Sequence, residues 1–269
     1  MTNRGQLSSS ILNKAKELGA DLVGITSVEA LRGCPSFSAA SKIPDAEKVG
    51  PKERKLDLGP GQVAWSEAGK SVIIVAVSHP EEKPELDWWY AKYSPSGNQQ
   101  LIRIIKELIV WLENEHHVKT YHMPYYTEDG GIFLKDVAVM AGLGCIGRNN
   151  LFVSPEYGPR VRLRAMICDV ELTSTGPIAF DPCSGCQGYC LNKCPKEAFD
   201  KIIYTKEDLG QETLPGRIGN YSRSKCHDQM NLERNSEEKN ERVLYSPSGE
   251  MLHPVKHCRI CEFSCPIGK

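Results

Sequence analysis

Eight of the eleven cysteines in this chain crowd into its last third, in two short runs. "CSGCQGYCLNKCP" carries Cys183, Cys186, Cys190 and Cys194, and "CRICEFSCPIGK" carries Cys258, Cys261 and Cys265, with Cys226 alone between them. A stretch so rich in thiols and so poor in apolar periodicity has little core of its own, so it folds around what the thiols hold. Each run ends with three residues, a cysteine and then a proline, Pro195 or Pro266. That ending belongs to the ferredoxin pattern C-x2-C-x2-C-x3-C-P, in which three thiolates hold one [4Fe–4S] cube and the fourth crosses to the other. The second run is one cysteine short, and Cys226 makes up the count. By the crossing rule, Cys183, Cys186, Cys190 and Cys265 hold one cluster, and Cys194, Cys226, Cys258 and Cys261 hold the other. Two four-thiolate zinc sites are the alternative, but these come as C-x2-C pairs a dozen or more residues apart. The x3 spacings and Cys-Pro endings favour iron–sulfur. Three residues, not two, separate Cys186 from Cys190, and Gly188 can take the backbone conformation the extra residue demands.

The 269 residues allow one large domain, or a medium domain with a small appendage. A formal net charge of −1 gives no field that argues for nucleic acid or membrane. No apolar run reaches the roughly 18 residues of a spanning helix. The opening "MTNRGQLSSSILNKAKELGA" reads as an amphipathic helix, not a signal peptide. A cytoplasmic location is therefore expected, where cysteines seldom form disulfide frameworks.

Ahead of the thiols, helices and strands alternate. Leu7, Ile11, Leu12, Ala15 and Leu18 share one helical face, and Gly19 follows as a stop. "DLVGIT" (21–26) reads as a strand, and "SVIIVAVS" (71–78) as a strand buried on both faces. Between them, Pro35, Pro44, Pro51 and Pro60 mark loop-rich connections. "NQQLIRIIKELIVWLENEHH" (98–117) is the clearest helix, with Leu101, Ile104, Ile105, Leu108, Ile109 and Leu112 as its apolar stripe. A short strand follows in "VKTYHM", a helix from Ile132 to Met140 stopped by Gly142, then strands in "NLFVS" and "RVRLRAMICDVEL". The fold class is α/β: a layered domain over 1–175, a linker-like "TSTGPIAFDP" (173–182), and a double-cluster domain over 176–269. Clusters alone need no such front domain, so that domain is expected to house the electron acceptor.

"AGLGCIGRNNLFVSPEYG" (141–158) resembles the A-G-L-G-W-I-G-K-N-x-L-x-x-x-P-x-x-G signature of the epoxyqueuosine reductases, relatives of the reductive dehalogenases. "AKELGADLVGIT", "AGKSVIIVAVS", "CHDQMNLE" and "HCRICEFSCP" resemble further segments of that family, in the same order along nearly the whole chain. The resemblance implies a cobalamin-binding α/β domain followed by a ferredoxin-like domain with two [4Fe–4S] clusters. Electrons would pass from the clusters to the cobalt, and a protein acid would supply a proton to the substrate. It places Gly142, Gly144, Cys145, Gly147, Arg148 and Asn149 at the cofactor, where the glycines allow close backbone approach. Thiolate-held clusters reach potentials as low as about −700 mV, which suits that task.

Several positions depart from the family pattern. Its usual catalytic acid is an Asp, and the matching position thirteen residues before Ala141 holds Glu128. A carboxyl buried beside a large apolar ring keeps its proton more tightly, which suits a proton donor. Asp129 is adjacent, though an Asp before Gly-Gly also reads as a helix cap. Tyr126 is a third candidate, since the dehalogenases use a Tyr. Cys145 replaces an aromatic residue, and "YAKYSPSGNQQLI" (90–102) lacks the family's D-Y-H. Cys34 and Cys168 read as buried hydrophobes. Arg160, Arg162 and Arg164 share one strand face, which would suit an anionic substrate or else face solvent. No histidine is given a role: His253 and His257 have helical metal-pair spacing, but Pro254 lies between them. The chain stops after the last cysteine run, before the helices that longer members use for tRNA. A small organic substrate is therefore expected rather than tRNA, with a ferredoxin or flavodoxin as upstream low-potential donor. The alternative is an electron-transfer protein or corrinoid-protein activator without its own substrate.

Overall fold

A computed structural model describes residues 3–39, 56–59, 61–90, 95–235, 244–245 and 248–269. Its organising element is strand β2 (Ser71–Ser78), the SVIIVAVS run, buried at every position but the last. An unbroken β-branched run has no polar face to offer water, so it must be covered on both sides. β2 lies inside a four-stranded sheet of order β1 (Leu22–Ser27), β2, β6 (Val161–Cys168), β3 (Thr120–His122). All three pairings are antiparallel. An antiparallel sheet often leaves one face wet, but helices cover both faces of this one, and β2 reads accordingly.

On one face, Ile73, Val75 and Val77 meet Ile11 and Ala15 of α1 (Asn3–Glu17) and Leu101, Ile104, Leu108 and Leu112 of α4 (Ser96–His116). On the other, Val72 and Ile74 meet Val28 and Leu31 of α2 (Val28–Arg32), Phe37 of α3 (Pro35–Ala39), and Val137 and Ala138 of α5 (Leu134–Met140). Each fully buried aliphatic side chain here contributes about 1.5–3 kcal/mol. α2 and α3 are short helices in the stretch where the sequence shows only prolines; Pro44, Pro51, Pro60 and residues 91–94 of the YAKYSPSGNQQLI segment lie outside the described residues. α5 starts two residues later than its pattern predicts. Gly130 (φ +82°) makes a left-handed turn ahead of it, and a Cβ there would stand 2.4 Å from the Ala64 Cβ.

The linker is strapped to the front lobe. The Thr173 amide donates to Ser8 Oγ (2.8 Å), and the Thr175 amide donates to the Ile25 carbonyl (3.0 Å). Thr175 Oγ1 accepts from the Ile25 amide at 2.9 Å and donates to the Ala141 carbonyl at 2.5 Å. Beyond it, four short-to-medium helices, α6 (Tyr189–Asn192), α7 (Lys206–Leu209), α8 (Arg223–Asn235) and α9 (Ile260–Phe263), carry or flank the cysteines. Their apolar centre is small: Tyr204 and Leu209 pack against Ala39 and Phe133 of the front lobe.

Candidate functional site

The eight rear cysteines gather into two neighbouring groups. Cys183, Cys186, Cys190 and Cys265 line one narrow cavity with Arg148, Pro182 and Pro266. Burial, then the Cys265 and Cys183 thiolates, push the Cys190 thiol up to about 11. In the second group, burial and then Cys194 raise Cys226, while Cys261 is raised by burial, Glu262, Cys226 and Cys258 in that order. Cys261 also feels Cys190, so the groups adjoin. Among the described residues, no three His, Cys, Asp or Glu side chains converge on the position of a single metal ion. A cube holds its four thiolates around its own atoms, further apart than the ligands of one ion. Backbone amides point at two of the sulfurs: Gly188 at Cys186 Sγ (3.5 Å) and Ala198 at Cys194 Sγ (3.4 Å). Such bonds favour the thiolate and tune a cluster's potential. Gly188 heads α6 in the left-handed region (φ 75°), the conformation its extra residue was expected to need.

Between the lobes opens a cavity of about 470 Å³. Ile132, Phe133, Leu134, Phe152, Val161 and Leu163 give it an apolar wall, and Tyr125, Tyr126, Thr127 and Glu128 a polar edge. Tyr221, Arg223 and Glu262 reach in from the cysteine-bearing segment. Lys135 lies in the wall and donates to the Asn150 carbonyl (2.9 Å) and Oδ1 (2.5 Å); burial drops its ammonium to about 8. Next to it, buried Asp136 accepts from the Ser36 amide at 2.8 Å, and burial raises its carboxyl.

One end of the cavity is a buried charge network that spans the whole sequence. Asp87 pairs with Arg162 of β6 and, at 3.1 Å, with Arg259 Nε. Arg259 also pairs with Glu262 (2.7 Å) and donates to the His79 carbonyl (2.6 Å). The His79 ring is 4% exposed, with Nδ1 3.6 Å from Asp87. Burial first, and then Arg259 and Arg162 against an opposing Glu262, lower its pKa to about 4. The imidazole is therefore neutral near pH 7.

No family model matches the chain. An epoxyqueuosine reductase of Lactococcus garvieae is 24% identical over 214 residues, which cover 76% of this chain and 53% of that protein. An epoxyqueuosine reductase solved with an epoxyqueuosine-modified tRNA stem loop superposes with a TM-score of 0.58 at 20% identity, covering 98% of this chain and 65% of that one. A reductive dehalogenase, described as acting by B12-dependent dehalogenation, superposes with a TM-score of 0.58 at 17% identity, over 100% of this chain and 33% of that one. The chain belongs to the epoxyqueuosine reductase and reductive dehalogenase family. It spans about half the length of the curated epoxyqueuosine reductases it matches.

The structure distributes the family-derived site residues unevenly. Tyr126 and Glu128 line the cavity; Asp129, one residue on, is not among the lining residues. The family signature loop mostly serves the seam instead. Gly142 (φ +74°) lets its backbone cross Gly176, where a Cβ would meet the Thr175 carbonyl at 2.7 Å. Gly144 and Gly147 sit against Val153, and Asn149 Oδ1 accepts from the Leu151 amide. Arg148 donates to the Cys186 carbonyl (3.0 Å), beside the first thiol group. Burial and then Cys183 push Cys145 up to about 12, so it too faces that group. Asn150 and Leu151, just past the signature's central residues, are the ones that reach the cavity.

The arginine face is neither free for an anion nor solvated. Arg160 donates to the carbonyls of Glu262, Cys265 and Ile267, Arg162 pairs with Asp87, and Arg164 lies over the Tyr125 ring at 4.7 Å. Sequence reasoning also gave no role to His79, Asp87, Lys135 or Glu262. The signal for His79 was its place, the first side chain past a fully apolar central strand, where a buried polar group needs a reason. Among the described residues no helix is long and apolar enough to cross a membrane.

Proposed function

We propose that the chain is an iron–sulfur reductase that holds two [4Fe–4S] clusters and a corrinoid and reduces an organic substrate. Residues 1–175 would form the corrinoid domain and 176–269 the cluster domain. The observation that carries this reading is the shared cavity. One side bears Tyr126 and Glu128, and the other bears Glu262, directly after Cys261. A proton source and an electron source thus flank one apolar chamber.

The residues present fit both groups. Each thiol set offers four sulfurs to a cube, and the N–H bonds to Cys186 and Cys194 suit thiolates. The apolar wall suits the face of a flat macrocycle, and the polar end suits its amide-bearing rim. When bound, a corrinoid supplies the low-potential electrons that the substrate accepts. Glu128 holds the proton to be delivered at its carboxyl, with Tyr126 as the second candidate donor. The apolar wall excludes water, and Arg148 and Arg160 fix the cysteine loops against the front lobe. The substrate is small and organic, and an upstream low-potential protein reloads the clusters.

The test begins with anaerobic reconstitution and iron analysis, where about eight irons per chain are expected for two cubes. Cob(II)alamin is then added and followed by absorption and EPR. Stoichiometric binding with an altered cobalt signal supports the reductase. A cluster-loaded protein that leaves the cobalt signal unchanged overturns it and leaves an electron carrier.

A further inference from the structure

The polar end of the cavity contains two orphans. Both ring nitrogens of His79 are buried without a hydrogen-bond partner, and so is Arg162 Nε. Neither side chain is loose. The His79 amide donates to the Arg160 carbonyl (3.0 Å) and its own carbonyl accepts from Arg259 (2.6 Å), so the residue is pinned on both sides. Arg162 is held through its terminal nitrogen by Asp87. Both residues line the cavity.

Their chemistry is complementary. The imidazole is neutral and carries one proton. The Asp87 carboxylate, 3.6 Å from Nδ1, draws that proton to its side. Nε2 is left as a bare acceptor, while Arg162 Nε–H is a bare donor. Buried polar groups are stable only when paired, so the cavity's occupant must bring a donor and an acceptor together. A carboxylate brings no donor. An ammonium brings no acceptor and would meet the guanidiniums. A primary carboxamide brings both, with no charge.

We propose that His79 and Arg162 form a carboxamide subsite: Nε2 accepts an amide N–H and Arg162 Nε–H donates to the amide oxygen. Resting on the corrinoid reading above, this assigns the pair to a side-chain amide on the corrin rim. His79 is then a binding residue particular to this chain, set in space by a strand end, a 3-10 turn and β6.

The experiment compares two corrinoids on two proteins by anaerobic spectrophotometric titration. Cob(II)inamide has an amide rim, and the heptamethyl ester of cobyrinate has esters, which accept hydrogen bonds but donate none. His79→Leu should weaken cob(II)inamide roughly tenfold and leave the ester analogue within about twofold. His79→Gln, which keeps an acceptor, should bind cob(II)inamide within about threefold of the native protein. Equal weakening of both corrinoids by His79→Leu would mean a structural role and overturn the proposal. A native protein that binds the two corrinoids equally well would overturn it without any variant. So would nitrogen splitting in the cob(II)inamide EPR signal that disappears in His79→Leu, since His79 would then be an axial ligand. A native protein that binds neither corrinoid removes the corrinoid reading itself, a result separate from all of these.

Discussion

Glu128 and Tyr126 share the cavity edge but differ in setting. Tyr126 is 51% exposed and stacks edge-on against Tyr125 at 4.7 Å, while Glu128 is partly buried and held by Thr127 Oγ1 at 3.4 Å. Glu128→Gln removes the transferable proton with little change of shape. It should cut turnover by at least the 10²-fold typical of a lost general acid, with iron content and corrinoid binding unchanged. Retained turnover in single-turnover assays would pass the role to Tyr126. Asp87 is the most demanding residue of the charge network. Asp87→Asn leaves two buried guanidiniums without their carboxylate and should cost about 3–5 kcal/mol, read as a lower denaturation midpoint. His79 adds a pH signature. Its folded pKa, about 4, lies below its ordinary value of 6.5, so the folded state binds fewer protons between those values. Stability should therefore fall as pH drops from 6.5 towards 4, with Arg162, Arg259, Asp87 and Glu262 as the charges around the ring. His79→Gln should flatten that slope in pH-dependent melting, and an unchanged slope would assign it to the carboxylates.

The elements of the front lobe meet at backbone crossings rather than at side chains. Gly142 and Gly176 pass so closely that a Cβ on Gly142 would stand 2.7 Å from both the Gly176 Cα and the Thr175 oxygen. Gly142→Ala also forces an L-residue to φ +74° and should cost about 1–3 kcal/mol in melting experiments. If it costs nothing, the linker is not seated on α5. β2 and α4 were legible in sequence because a continuous β-branched run and a clean 3.6-residue stripe each have one stable solution. The antiparallel order was not, because it depends on which strand comes back beside β2, and no local residue specifies that. The signature loop drew attention through its glycines. Spacing alone cannot say whether close approach is to a ligand or, as at Gly142 and Gly144, to another stretch of backbone.

Across the whole molecule, the thiol groups were legible and the charge network was not. Cys-Pro spacing is local, whereas His79, Asp87, Arg162 and Arg259 come from four distant segments that only the fold unites. The arginines of β6 likewise read as an anion site until their partners were seen to be carbonyls, a carboxylate and an aromatic ring. The two lobes should also differ in what sustains them. The front has its own core, and the rear has little beyond Tyr204 and Leu209. Stripping iron with a chelator should expose 183–269 to proteolysis while leaving most helical and strand circular dichroism in place. Uniform resistance after iron loss would show that the rear folds unaided.

Cys265 stands with Cys183 and Cys186, although most of the rear sequence lies between them. During translation, three thiols of that set emerge from the ribosome well before the fourth. The nascent chain is thus a bundle of reactive sulfhydryls with no complete nest to offer. Metal delivery must wait until the tail has been made, and oxygen reaching the cell in that interval would injure the protein before it ever worked.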